Sequence, residues 1–157
     1  MTLRRGGDHA LTGWIAYTYT RARRRDHPGE PQRPFDYDQP HVLTAVADWT
    51  RGGWTVGARF RLASGLPRTP VTGAYYEARL DRWEPEFGPV DSIRLPTFVE
   101  VDLRGERRFG RVSAYLEVEN ATDHHNVEEY VYSYDYRSRE DLTGLPLLAI
   151  AGVEARL

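Results

Sequence analysis

The sequence predicts an all-β chain: an antiparallel up-and-down meander of about six strands. Three observations carry this. Six segments alternate apolar and polar residues with period two, the signature of a strand with one oily face. No segment sustains an i, i+3, i+4 pattern, so almost no helix is expected. Tight and long connections alternate along the chain.

The elements follow in order. Residues 11–20 set Leu11, Gly13, Ile15, Tyr17 and Tyr19 against Thr12, Thr18 and Thr20. Residues 41–50 set Leu43, Ala45, Ala47 and Trp49 against Thr44, Asp48 and Thr50. Residues 54–63 set Trp54, Val56, Ala58, Phe60 and Leu62 against Thr55, Arg59 and Arg61. In residues 98–109, Val99, Val101 and Leu103 oppose Glu100, Asp102, Arg104, Glu106 and Arg108; Arg107 is the exception. Residues 111–120 set Val112, Ala114, Leu116 and Val118 against Ser113, Tyr115, Glu117 and Glu119. The last segment places Leu145, Leu147, Ala149, Ala151, Val153, Ala155 and Leu157 on one face, with Gly152, Glu154 and Arg156 on the other.

Arg51-Gly52-Gly53 and Phe109-Gly110-Arg111 are tight hairpin signals. The other links, residues 21–40, 64–97 and 121–144, are long. Successive links of a meander fall on opposite ends, so the tight turns share one end and the long loops the other. That sorting is the pattern of an outer-membrane β-barrel, here a partial one. Arg59, Arg61, Glu100, Asp102, Arg104, Glu106, Arg108, Glu117 and Glu119 then line a wet lumen as a charge network of both signs. The alternative is a soluble all-β ligand-binding module of lipocalin-like type, in which the charged face is simply solvated.

Composition narrows the function. The chain has 157 residues, 40% hydrophobic and 28% charged, with net charge −2. That length suits one domain, and the charge implies no nucleic-acid partner. No uninterrupted apolar stretch approaches the roughly 18 residues of a membrane helix, a test that barrel strands escape. The chain has no cysteine, which excludes disulfides and thiolate metal sites. Its first residues, MTLRRGGDHALTGW, lack the apolar core of about 7–15 residues that marks a signal peptide, so no export signal is expected here.

Several side-chain clusters have a composition that suits chemistry. His124 and His125, with Asp123, Glu128 and Glu129, have metal-ligand composition, but adjacent rings on an extended chain point apart. No metal and no cofactor are assigned. Glu117, Glu119, Asp102 and Glu100 interleave with Arg59, Arg61, Arg104 and Arg108, which would hold the carboxylates ionised rather than arm a general acid. No catalytic residue is assigned. Tyr130, Tyr132, Tyr134 and Tyr136 alternate within the third long loop, and Tyr75, Tyr76, Trp83 and Phe87 lie at the same end. The tyrosines and Trp83 are the candidate ligand-contact groups, suited to sugars or aromatic ligands. The arginines of residues 21–25 form a basic cluster at that rim.

Several stretches resemble TonB-dependent outer-membrane receptors. Leu11-Thr12-Gly13-Trp14-Ile15-Ala16-Tyr17-Thr18-Tyr19 resembles a late barrel strand of that family. Asp38-Gln39-Pro40-His41-Val42-Leu43, Ser64-Gly65-Leu66-Pro67 and Arg94-Leu95-Pro96 with Val101-Asp102-Leu103-Arg104 are similar to its strand boundaries. Val118-Glu119-Asn120-Ala121-Thr122-Asp123 is similar to its next-to-last strand signature, and Leu145-Pro146 with the Gly152 strand to its end. The resemblance implies a 22-stranded barrel with a plug, importing a siderophore, cobalamin or glycan through the TonB complex, of which this chain matches about the last six strands. It implies outer-membrane lipid, the remaining strands and plug, and the barrel-assembly machinery as partners, with TonB acting only through the plug. The expected assembly signal is Gly152, Ala155 and Leu157. Residues 1–157 carry no plug and no TonB box, so the chain is expected not to transport alone.

Overall fold

The computed structural model describes residues 1–5 and 10–155. These residues contain strands and turns and no helix. One antiparallel sheet has seven strands: β1 (Thr2–Arg5), β2 (Leu11–Tyr19), β5 (His41–Arg51), β6 (Trp54–Ala63), β11 (Phe98–Phe109), β12 (Val112–Glu119) and β15 (Leu148–Ala155). Each pairs with the next in that order. The sheet is open, with β1 and β15 at its edges.

The six alternating segments all form strands of this sheet. Its further strand, β1, lies along β2 with Leu3 opposite Ile15. Four residues with one aliphatic side chain carry too little periodicity to be recognised. The last strand starts at Leu148 rather than Leu145. Leu145 O accepts from Asn120 Nδ2 (3.1 Å) and Leu147 N donates to Asp123 Oδ1 (3.0 Å), which ties residues 145–147 to the loop mouth. Leu157 of the expected assembly signal lies outside the described residues.

Gly52 and Gly53 (φ 59° and 80°) turn β5 into β6, and Gly110 (φ 63°) turns β11 into β12. Both turns need the left-handed region that glycine enters without strain. The long links hold small two-stranded sheets of their own. β3 (Arg23–Arg24) pairs with β4 (Arg33–Pro34), and β7 (Pro67–Arg68) with β10 (Ile93–Arg94). β8 (Val71–Glu77) pairs with β9 (Arg82–Phe87), and β13 (Val127–Tyr132) with β14 (Arg139–Thr143).

Burial is concentrated where strands meet long loops. Ala63, Pro67 and Leu95 are buried there, with the polar Asp38, Asp102, Asn120 and Asn126. The sheet faces are largely uncovered. The accessible surface is 11264 Å², against about 8,100 Å² for a water-soluble monomer of this mass.

Candidate functional site

Register assigns every strand residue to one of two faces. Three cross-strand rows define the first: Leu11–Trp49–Val56–Gly105–Leu116–Ala151, Gly13–Ala47–Ala58–Leu103–Val118–Ala149 and Ile15–Ala45–Phe60–Val101. All of these residues are apolar, yet Ile15 is 50% exposed, Leu103 45% and Leu116 53%. A soluble sheet covers such a face with a second layer. Here the aliphatic rows are bounded by aromatic rings at both ends. Tyr17, Tyr19 and His41 stand at the long-loop end, where Tyr17 Oη and His41 Nδ1 share a 2.7 Å hydrogen bond and the Tyr19 and His41 rings lie 5.2 Å apart. Trp49, Trp54 and Phe109 stand at the tight-turn end. Eight residues separate His41 from Trp49, ~26 Å along the strand.

The opposite face carries charge. Arg59 donates from Nε to Asp102 Oδ2 (2.6 Å) and from Nη2 to Glu100 Oε1 (3.2 Å). Arg104 donates from Nη1 to Glu117 Oε2 (2.9 Å), and its Nη2 lies 3.5 Å from Glu106 and 3.6 Å from Glu154. Its guanidinium stacks 4.1 Å from the Tyr115 ring centroid. Gly152 makes room for that ring: a Cβ there would lie 2.5 Å from Tyr115 Oη. Six of the nine expected network members therefore meet in ion pairs. Arg61 instead lies over the Phe98 ring at 5.1 Å. Arg108 sits at the exposed turn, where its N donates to Gly53 O (2.8 Å). Glu119 stands opposite Leu148. Asp102, Glu100 and Glu117 each face a guanidinium. Glu154 joins the network, although the sequence pattern shows only that it faces this way.

The motif residues at the strand boundaries form a collar beneath the long loops. Asp38 Oδ1 accepts from Ala22 N (2.6 Å), and its Oδ2 pairs with the Arg94 guanidinium. Arg94 Nη1 also donates to Asp38 O (2.6 Å) and Gly65 O (3.1 Å). Asn120, 2% exposed and at φ 47°, donates from Nδ2 to His124 O and Leu145 O and accepts from His124 N. Its backbone N donates to Asp102 Oδ1 (3.0 Å), joining the collar to the charged face. The Asn126 amide exchanges two 2.8 Å bonds with the Val99 backbone, replacing a strand neighbour where β12 has ended. All three long loops are tied together. Arg33 pairs with Asp91, Arg68 Nε contacts both Glu129 oxygens at 2.9 Å, and Arg137 lies 5.2 Å over Trp83.

Burial pushes the Asp38 carboxyl up, but the Ala22 N–H and the Arg94 guanidinium outweigh it and hold it below the ordinary Asp value. Glu129 is likewise pushed up by burial and held down, on balance, by Arg68 and the Tyr130 N–H. A depressed folded pKa stabilises above the unfolded value, about 4 for either residue, and that stability is lost as pH falls through the folded value. Hydrogen-exchange protection of the Ala22 and Tyr130 amides is therefore expected to hold from pH 7 to about 4 and to fall below that. Protection that declines steadily from neutrality would contradict these ties.

The aromatic loop residues divide between two hairpins. Tyr75 and Tyr76 lie on β8, and the Tyr76 ring meets Trp83 of β9 edge-on at 5.6 Å. The Asp81 carboxylate accepts from Tyr76 Oη and pushes the phenol up. Tyr130 and Tyr132 share a face of β13. The strand stops there, so the alternation of the four tyrosines does not carry all of them onto one face. Tyr134 projects from the turn, 85% exposed, and Tyr136 (φ 57°) folds back to place its ring 6.1 Å from that of Tyr132. Arg139 covers the Tyr130 ring at 4.0 Å. Asp123 and Glu129 are taken up by Leu147 N and Arg68, and no cluster of three or more His, Asp or Glu side chains among the described residues could hold a metal. The chain matches no family model, no curated protein and no solved structure.

Proposed function

We propose that this chain is the C-terminal part of the β-barrel of a TonB-dependent outer-membrane receptor, an importer of a scarce nutrient of the siderophore, cobalamin or glycan class. The observation that carries the reading is the uncovered apolar face with aromatic rims, backed by a face of paired charges. A barrel wall needs that combination: an apolar band roughly 25 Å tall between aromatic girdles, and a polar interior. Strands tilted about 40° reduce the ~26 Å between His41 and Trp49 to ~20 Å of membrane normal. The motif-bearing collar and the sorting of long loops to one end give further support. A lipocalin-like module would turn its apolar face into a closed barrel; no observation favours it.

Seven strands do not reach the bacterial minimum of about eight, and each unpaired backbone group at an edge would cost several kcal/mol in lipid. β1 and β15 therefore take further receptor strands as neighbours, and the chain does not transport alone. The plug, TonB and the barrel-assembly machinery act through the whole receptor. The test is the nucleotide sequence upstream of the Met1 codon. A reading frame that continues into alternating strands, a plug and an export signal is expected. A stop codon and a ribosome site immediately before Met1 would contradict the proposal.

A further inference from the structure

A groove of about 490 Å³ opens on the apolar face at the tight-turn end, across β6, β11 and β12. Gly105, Ala114 and Leu116 line its floor, and Trp54, Arg107 and Phe109 its rim. Nothing lies within 4 Å of where a Gly105 Cβ would stand, so the floor is open toward the surroundings. Arg107 is a charge among the apolar rows, opposite Trp54 and Ala114. Its guanidinium lies 5.0 Å over the Trp54 ring and 5.7 Å over Phe109. One N–H is used, from Nη1 to Gly52 O at 2.6 Å. Arg107 forms no ion pair among the described residues. A guanidinium has five N–H donors in a planar fork that fits phosphate oxygens, so most of this fork is free to bind. Arg51 stands on the same face, on the far side of Trp54 from Arg107.

We propose that this groove binds an anionic phospholipid, with an acyl chain over Gly105, Ala114 and Leu116 and the headgroup phosphate on Arg107. The inference rests on the membrane reading above. Tight turns mark the periplasmic side of an outer-membrane barrel, so the ligand is a phospholipid of the inner leaflet. The charge on Arg107, which meets no carboxylate among the described residues, selects an anionic headgroup over a neutral one.

The test uses the full chain within its receptor barrel, inserted in phosphatidylcholine vesicles, with Trp14, Trp49 and Trp83, and the tryptophans of the remaining strands, replaced by Phe so that Trp54 alone reports. Dibromostearoyl phosphatidylglycerol is expected to half-quench Trp54 at about one-fifth of the mole fraction that the matching bromo-phosphatidylcholine needs, the factor for one Arg at an anionic surface. Arg107→Gln should bring the two lipids level, and Arg108→Gln, on the other face, should leave the preference intact. Should the substituted barrel fail to fold, mass spectrometry of the unsubstituted barrel released from mixed vesicles is expected to retain phosphatidylglycerol, and Arg107→Gln to lose it. Equal quenching, or no selective retention, by an inserted chain overturns the lipid site and leaves the membrane reading standing. A chain that stays in water, quenched by neither lipid, overturns both.

Discussion

Gly65→Ala is expected to unfold the collar. A Cβ at this position would lie 1.7 Å from Leu95 O, 2.5 Å from Leu95 C and 2.8 Å from Pro96 O. All three are backbone atoms, so no side-chain rotation relieves the clash; the chain itself must move. Gly65 O accepts from Arg94, and Leu95 N donates to Leu66 O at 3.0 Å. Displacing this segment therefore breaks the β7–β10 pairing and strips Asp38 of its guanidinium. Overpacking alone costs about 1–3 kcal/mol, and an unpaired buried carboxylate adds more. The expected loss exceeds about 3 kcal/mol, at the exceptional end for one substitution. Urea unfolding of the variant in detergent measures it; a loss below about 1 kcal/mol would show that the collar does not hold the loops.

Leu103→Arg carries the second large effect, and its size depends on the surroundings. Leu103 lies midway between the aromatic rims, on β11, with Ala58 on one side and Val118 on the other. In water an exposed leucine is replaced with little consequence, within about 0.5 kcal/mol. At the middle of a bilayer an outward-facing Arg on a barrel strand costs about 2–4 kcal/mol. The expected result is the larger loss when unfolding is followed in lipid vesicles, with Leu103→Ala as the control for lost side-chain volume.

The strands of the sheet were legible because each has one oily face, and period two survives even where residues such as Trp14 and Val46 sit on the charged side. The tight turns were legible from Gly52, Gly53 and Gly110, whose backbone conformations need glycine. β1 was not, since Leu3 is its one aliphatic residue and its pairing with β2 is a tertiary fact. The loop hairpins escaped for a related reason: two-residue pairings such as Ile93 with Arg68 have no period to detect. The charged face was legible as a face but not as pairs. Which Arg meets which acid depends on registers that bring Arg59 beside Asp102 from 43 residues away, and Arg61 chose an aromatic ring instead. The collar motifs were visible as strings, whereas their joint role was not. Asp38, Gly65 and Arg94 converge only after two long loops have closed. Tyr134 and Tyr136 continue the alternation in sequence, but a turn begins at Ser133, where the side-chain hydroxyl bonds Asp135 at 2.6 Å, and local hydrogen bonding of this kind overrides strand periodicity.

The central claim is that the apolar face meets lipid while the charged face meets water. The absence of cysteine from the chain permits single-cysteine substitutions with no background. The most direct test places one cysteine at a time at Val101, Leu103, Arg104, Gly105 and Glu106 of β11, in the chain as part of its receptor barrel, otherwise free of cysteine, inserted into lipid vesicles. Each is then exposed to a membrane-impermeant maleimide. Labelling is expected at 104 and 106 and not at 101, 103 and 105, with the difference abolished once the lipid is replaced by urea. Equal labelling of Leu103→Cys and Glu106→Cys in vesicles would mean that both faces of the sheet stand in water, and would contradict the membrane assignment.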